Sequence, residues 1–375
     1  MIRLILLILL FLASLLTVFR APTNLLWMTA IAVSEYCWIL IFVTCLILTW
    51  GFIDMPYKTI GTVFGFIAVL LFISPIVRAT IVSTDLKSEL TQSLKCSDSD
   101  LPERSAFSVA KLFSINKKVE FQSYVYQNDS GQDYKLDFYP SQISGERPCV
   151  MVVHGGSWSS GDSQQLPELN SYLASIGYNV ASINYHLSPK YRSPRPVNDV
   201  KLALKYLKEN SDKFNIDTSN FVLVGRSAGA QIVLMAAYTL NDTAIKGVVD
   251  FYGPADMSWG YTIPTNPLVM DSEGVMEDYL GGTLSEVPNA YAESSAVNYV
   301  NKNSTPTLML HGKNDVLVAY EHCARLEKKL IASGVKYYWL KLPWATHGFD
   351  YNLRGPGGQL STYATEAFIK SVTKK

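Results

Sequence analysis

The chain has 375 residues, enough for one large or two modest domains, and its 32 Lys and Arg balance 32 Asp and Glu. This zero net charge, with no basic patch and no acidic tail, argues against nucleic acid as a partner and against extended disorder. Hydrophobic residues make up 48% and charged residues only 17%, a high ratio for a soluble protein, and the excess lies in the first 82 residues.

Residues 1–82 read as a membrane region of three helices, which implies a multi-pass membrane location. Residues 4–19 form a continuous apolar run after Arg3, readable as a signal peptide or as a first span. No small-x-small cleavage site follows and two more apolar runs do, which favours a span. Residues 25–50 are long enough to cross about 30 Å of hydrocarbon with some tilt. Residues 60–77 are a third candidate, with a continuation past Arg78 to Val82. Two spans with the first run cleaved is the alternative. Trp27 and Trp50 suit interfacial belts. Glu35 interrupts the second run, and a carboxylate at that depth costs about 3 kcal/mol, so it must face protein or carry a proton. A helix-packing contact or a displaced register is favoured there over a polar path. The balance of Lys and Arg does not decide which side of the membrane carries the rest of the chain. Residues 83–105 turn polar, and their Ser- and Asp-rich end reads as a linker.

Residues 106–375 read as a catalytic domain. A strand over 119–126, a turn at 128–131 and a return strand over 134–139 open it. A buried strand over 149–153 then ends at His154-Gly155-Gly156, where backbone N–H groups are free to point at one spot. These read as half of an oxyanion hole, with Gly155 and Gly156 as donors, completed by the N–H of Ala228; an ordinary Gly-rich turn is the alternative. His154 is expected to shape its loop rather than act as a base. A helix over 166–176, a strand over 179–184 and an amphipathic helix over 197–210 follow, with Asn198-Asp199 suiting an N-cap.

Phe221-Val-Leu-Val-Gly225 is a buried β-branched run, and Gln231 to Leu240 is rich in helix formers. Between them Ser227 sits in Gly225-Arg226-Ser227-Ala228-Gly229, a G-x-S-x-G at a strand-to-helix turn. Such a turn strains the serine backbone and pushes its Oγ out at the carboxyl end of the sheet, and the glycines allow the two backbones to pass closely. A strand over 247–251 follows, and the segment from Asp256 to about Val300 reads as a small cap over the pocket. Strands over 307–311 and 336–342 end in loops carrying Asp315 and His347. Alternating strands and helices imply a doubly wound, mostly parallel sheet. The order Ser227, Asp315, His347 is that of a nucleophile, an orienting acid and a base in such a sheet.

From about Tyr134 onward the chain resembles the α/β-hydrolase carboxylesterases related to hormone-sensitive lipase and to bacterial feruloyl and acetyl-xylan esterases. His154-Gly155-Gly156, Gly225-Arg226-Ser227-Ala228-Gly229, Asp250-Phe251-Tyr252-Gly253, Asp315 and His347-Gly348-Phe349 carry the resemblance. Ala230 stands where many relatives have a second glycine, and His186 where relatives often have arginine. The resemblance implies Ser227 as nucleophile, His347 as base, Asp315 as its partner, and Gly155, Gly156 and Ala228 as oxyanion donors. The expected function is two-step hydrolysis of a carboxylic ester, falling off below about pH 6 to 7 as the base protonates. A membrane acyltransferase using the same acyl-enzyme is the alternative. The substrate is expected to be a small-molecule or lipid ester, with the membrane as the other partner. The chemistry needs no metal or organic cofactor, and Cys37, Cys45, Cys96, Cys149 and Cys323 show no paired or metal-ligand spacing.

Overall fold

In the computed structural model the described residues are 1–52, 56–115 and 118–373. Residues 53–55 of the expected membrane region, and 116–117 and 374–375 of the expected catalytic domain, lie outside them.

The N-terminal helices are α1 (Ile2–Ser14), α2 (Asn24–Glu35), α3 (Cys37–Thr49) and α4 (Lys58–Leu94). Among the described residues, α4 is the one helix long and apolar enough to cross a membrane. The expected span at 25–50 is instead two helices meeting at an 85° bend. The break falls at Tyr36, which leaves the helical region (φ −124°, ψ 26°), and the carbonyl of Glu35 accepts from the Asn352 side chain at 2.7 Å. The expected linker at 83–105 is helical as far as Leu94. Leu86, Leu90 and Leu94 recur every fourth residue, so they line one face of α4, and that face is buried in the core of the sheet domain. Tyr338 also donates to Glu89 at 2.6 Å. Arg3, expected at the rim of a span, is buried, with Nε donating to the Ile47 carbonyl and Nη2 to Thr62 Oγ1.

The sheet strands are β1 (Gln122–Asp129), β2 (Gln132–Tyr139), β3 (Arg147–Val153), β4 (Asn179–Ile183), β5 (Ile216–Arg226), β6 (Ile245–Phe251), β7 (Thr307–Gly312) and β8 (Tyr337–Leu342). Their spatial order is β1-β2-β4-β3-β5-β6-β7-β8. The β1–β2 and β2–β4 pairs are antiparallel and the rest parallel. The expected mostly parallel sheet is thus present, and its period of two sorts residues between two cores. Met151, Val153 and Leu223 face one side; Val150, Val152, Val222 and Val224 face the other.

The remaining helices are α5 (Glu168–Ser175), α6 (Arg195–Glu209), α7 (Ser211–Phe214), α8 (Ala228–Thr239), α9 (Met257–Tyr261), α10 (Ser272–Leu280), α11 (Pro288–Glu293), α12 (Glu321–Ser333) and α13 (Pro356–Val372). Leucines and isoleucines of α6, α8 and α12 cover the first face, and those of α5 and α13, with α4, cover the second. The α9–α11 stretch is the segment expected as a cap. Asp199 is not an N-cap: α6 already starts at Arg195, with a proline in its first turn. Asp199 is instead fully buried and accepts from the His186 amide at 2.8 Å and from its ring at 2.9 Å.

If residues 83–94 are core rather than connector, Leu90→Ala will destabilise the full chain by about 2–5 kcal/mol, the usual cost of emptying a core leucine site. Denaturant unfolding in detergent measures this, and a change within about 0.5 kcal/mol would mark Leu90 as a surface residue.

Candidate active site

The turn from β5 into α8 sets the position of Ser227. A Cβ on Gly229 would overlap the carbonyl oxygen of Val153, and one on Gly225 would overlap that of Gly229. The strand and helix backbones therefore meet with nothing between them, and the chain reverses through Ser227 at φ 52°, ψ −120°. A non-glycine residue at that φ is strained. The strain is held by the Ser227 amide, which donates to the Phe251 carbonyl at 2.9 Å.

Arg226, just before it, is buried and pairs through Nε with Asp350 Oδ2 at 2.5 Å. Tyr252 donates to the other oxygen of Asp350 at 2.5 Å, and its ring lies 4.2 Å from that of His347. The elbow and the loop after β8 are thus tied by a buried ion pair and its hydrogen bond. Such pairs fix geometry more dependably than they add stability.

Asp315 and His347 are brought together from the ends of β7 and β8. His347 Nδ1 lies 2.7 Å from Asp315 Oδ2. His311, which the sequence reading passed over, reaches the same oxygen through Nε2 at 3.0 Å. The second oxygen accepts from the amides of Leu317 at 2.8 Å and Val318 at 3.0 Å. An ionised carboxylate accepts only, so each histidine presents an N–H to it. Burial pushes the Asp315 carboxyl up, but the histidines outweigh burial and hold it well below the usual carboxylate range.

The His154-Gly155-Gly156 turn faces the elbow, since a Cβ on Gly155 would come within 3.3 Å of Ser227 Cβ. The Gly155 amide donates to Gln165 Oε1 at 2.8 Å. Of the three candidate oxyanion donors, Gly156 and Ala228 are the two whose N–H groups make no hydrogen bond among the described residues. His154 stacks on Tyr185 with centroids 4.3 Å apart, and its Nδ1 lies 2.7 Å from the Gly155 carbonyl. Burial pushes its ring down to about 4, so it stays neutral near pH 7.

Ser227, His347, Gly155 and Gly156 line one cavity of about 350 Å3, with Asn24 and Trp27 of α2 in its wall. Ser227 and Asp315 also line a larger one of about 720 Å3. The segment expected as a cap supplies Trp259, Ile263, Met270 and Met276 to that cavity, and Arg20, Ala21 and Pro22 form another part of its wall. Among the described residues no cluster of His, Cys, Asp or Glu is arranged to hold a metal.

A family model described as BD-FAE matches residues 136–330. Esterase LipC of Mycobacterium tuberculosis (strain ATCC 25618 / H37Rv) is 30% identical over 239 residues, covering 60% of this chain and 58% of that protein. A probable carboxylic ester hydrolase, LipM, of the same strain is 27% identical over 243 residues, covering 61% and 56%. The chain thus spans little more than half the length of these relatives. Among solved structures, a truncated carbohydrate esterase from gut microbiota superposes with a TM-score of 0.56 at 21% identity, covering 68% of this chain and 99% of that one. Thermogutta terrifontis esterase 2 phosphonylated by sarin gives 0.54 at 18% identity, covering 61% and 86%. At these identities the structures speak for a shared fold.

The depressed Asp315 carboxyl makes a prediction about acid stability. The group is ionised in the folded chain where a free aspartate, near pH 3.9, has taken up a proton. Its contribution is therefore present above about pH 4 and fades as the pH falls further. Melting temperature measured from pH 6 to 3 will drop more steeply for the native chain than for Asp315→Asn; equal slopes would contradict the assignment.

Proposed function

The chain belongs to the BD-FAE family, and from that membership and the geometry of the site we propose that it is a serine carboxylic-ester hydrolase. The observation that carries this reading is the 2.7 Å His347–Asp315 pair, with His347 sharing a cavity wall with a strained serine.

Ser227 Oγ attacks the ester carbonyl carbon as its proton passes to His347 Nε2. Asp315 keeps the Nδ1 proton in place and offsets the charge of the imidazolium. The carbonyl oxygen becomes an oxyanion, held by the N–H groups of Gly156 and Ala228; a donor of this kind is worth about 3 kcal/mol. The Gly155 amide, taken by Gln165, shapes the turn that presents Gly156. When the tetrahedral adduct collapses, the C–O bond to the alcohol breaks and the alcohol leaves with the proton from His347. Water then attacks the acyl-enzyme through the same base, releasing the acid and restoring Ser227.

The substrate is a lipid or lipid-linked ester held in the apolar cavity, and the chain acts at a membrane. Two observations support this. The cavity of about 720 Å3 has Trp259, Ile263, Met270 and Met276 in its wall, and it lies in the size range of small-molecule sites. Its wall also includes residues 20–22, which belong to the same N-terminal region as α1, α3 and α4, the helices that carry exposed Leu9 (α1), Phe42 (α3), Phe66 and Leu70 (α4). Exposed apolar side chains on that scale mark an interaction surface.

The full chain in detergent, assayed on nitrophenyl esters from acetate to long acyl chains, tests the reading. Ser227→Ala should lower turnover by about three orders of magnitude or more, with free acid as the native product and an optimum at longer chains. Turnover surviving the substitution would remove Ser227 from the mechanism. Delivery of the acyl group to an alcohol, with little free acid, would make the chain the acyltransferase.

A further inference from the structure

The N-terminal helices touch the loops of the proposed triad directly. The indole Nε1 of Trp27, in α2, donates to the backbone carbonyl of His347 at 3.0 Å, with the two rings 6.4 Å apart. Eight residues on, at the other end of α2, Glu35 is fully buried. Its carbonyl accepts from Asn352 Nδ2 at 2.7 Å, and its Oε2 from the Gly357 amide at 2.9 Å. A carboxyl oxygen at a helix N-terminus accepts from amides that have no partner within the helix. Here the helix is α13, and the chain between His347 and Gly357 is the loop that carries the base. The start of α13 is built for this contact: a Cβ on Gly355 would overlap Glu35 Oε2, and one on Gly357 would lie 2.8 Å from Oε1. The loop of the acid is bound as well. Arg20 Nη2 donates to the Lys313 carbonyl at 2.9 Å, and Asn314 Nδ2 to that of Val18 at 3.3 Å.

We propose that α2 is a positioning element for the base, with Trp27 holding one end of the His347 loop and Glu35 the other. The N-terminal helices are then part of the working site as well as a means of attachment. This rests on the reading of Ser227, Asp315 and His347 as a triad. Neither Trp27 nor Glu35 touches a reacting atom; each acts through the backbone that carries the imidazole. A base displaced by a fraction of an ångström loses rate without losing affinity.

The test uses the full chain in detergent, with kcat and KM measured per mole of folded protein for Trp27→Phe, Glu35→Ala, Glu35→Gln and Ser227→Ala. Trp27→Phe keeps a ring in place and removes only the donor. It should lower kcat about 10- to 100-fold with KM within about twofold. Glu35→Ala should do the same, and Glu35→Gln, which keeps an oxygen for the Gly357 amide, should recover most of the loss. A purely structural role would lower the melting temperature and leave kcat of the folded protein unchanged, and that result overturns the proposal. If Glu35→Ala does not fold, Trp27→Phe decides alone. An inactive Ser227→Ala beside a Trp27→Phe variant of native kcat would sink the positioning role and leave the triad standing. An active Ser227→Ala would sink both.

Discussion

At Gly229 there is no room for a methyl group, and the site follows from that. The elbow helix α8 lies so close to the end of β3 that its backbone meets the Val153 carbonyl, and β5 can enter such a helix only by a sharp reversal. Ser227 takes the reversal at a positive φ. The strain is local, but the restraints on it are not. The Phe251 carbonyl fixes the serine amide, and the buried Arg226–Asp350 pair ties the preceding residue to the loop after β8. A turn that would relax in a peptide is over-determined here by the sheet around it.

Asp315 shows the same logic in electrostatic form. A carboxylate with no exposed side-chain surface would ordinarily take up a proton. Four donors prevent this: His347, His311 and two amides of its own loop. Each also fixes an orientation, so the charge that needs the donors is what sets the imidazole of His347. His311 acts from behind, with its Nδ1 3.2 Å from Cys323 Sγ, which makes it part of the support for the acid.

What the sequence made legible was whatever depends on neighbours in sequence. The elbow is a strand, a turn and a helix in one stretch, so G-x-S-x-G in that setting carries its geometry with it. The parallel sheet was readable from alternating strands and helices. The contacts of residues 18–35 were not, because their partners lie some 300 residues away. Trp27 looked like a belt residue and bonds to the His347 carbonyl; the run at 25–50 looked like one span and breaks where Asn352 takes the Glu35 carbonyl. Leu86, Leu90 and Leu94 did carry a signal, a repeat of four that fits a helix, masked by the charged and polar residues between them. The start of α13 hid for the opposite reason. Gly355-Pro356-Gly357-Gly358 has the composition of a turn, yet proline is at home in the first turn of a helix, and the small residues leave room for Glu35.

The Glu35–Gly357 bond also sets an order of events during synthesis. The two residues are 322 positions apart, so the Glu35 side chain of α2 is made long before the helix whose amide it accepts from. At about 5–20 residues per second the ribosome takes tens of seconds to cover that distance. Throughout that interval Glu35 lacks the Gly357 amide, and the bend at Tyr36 lacks the Asn352 side chain that donates to the Glu35 carbonyl. The contacts that join Glu35 to the start of α13 therefore form only when that helix docks. A chain interrupted just before that helix is left with its defect at the N-terminal end, some 320 residues from the break.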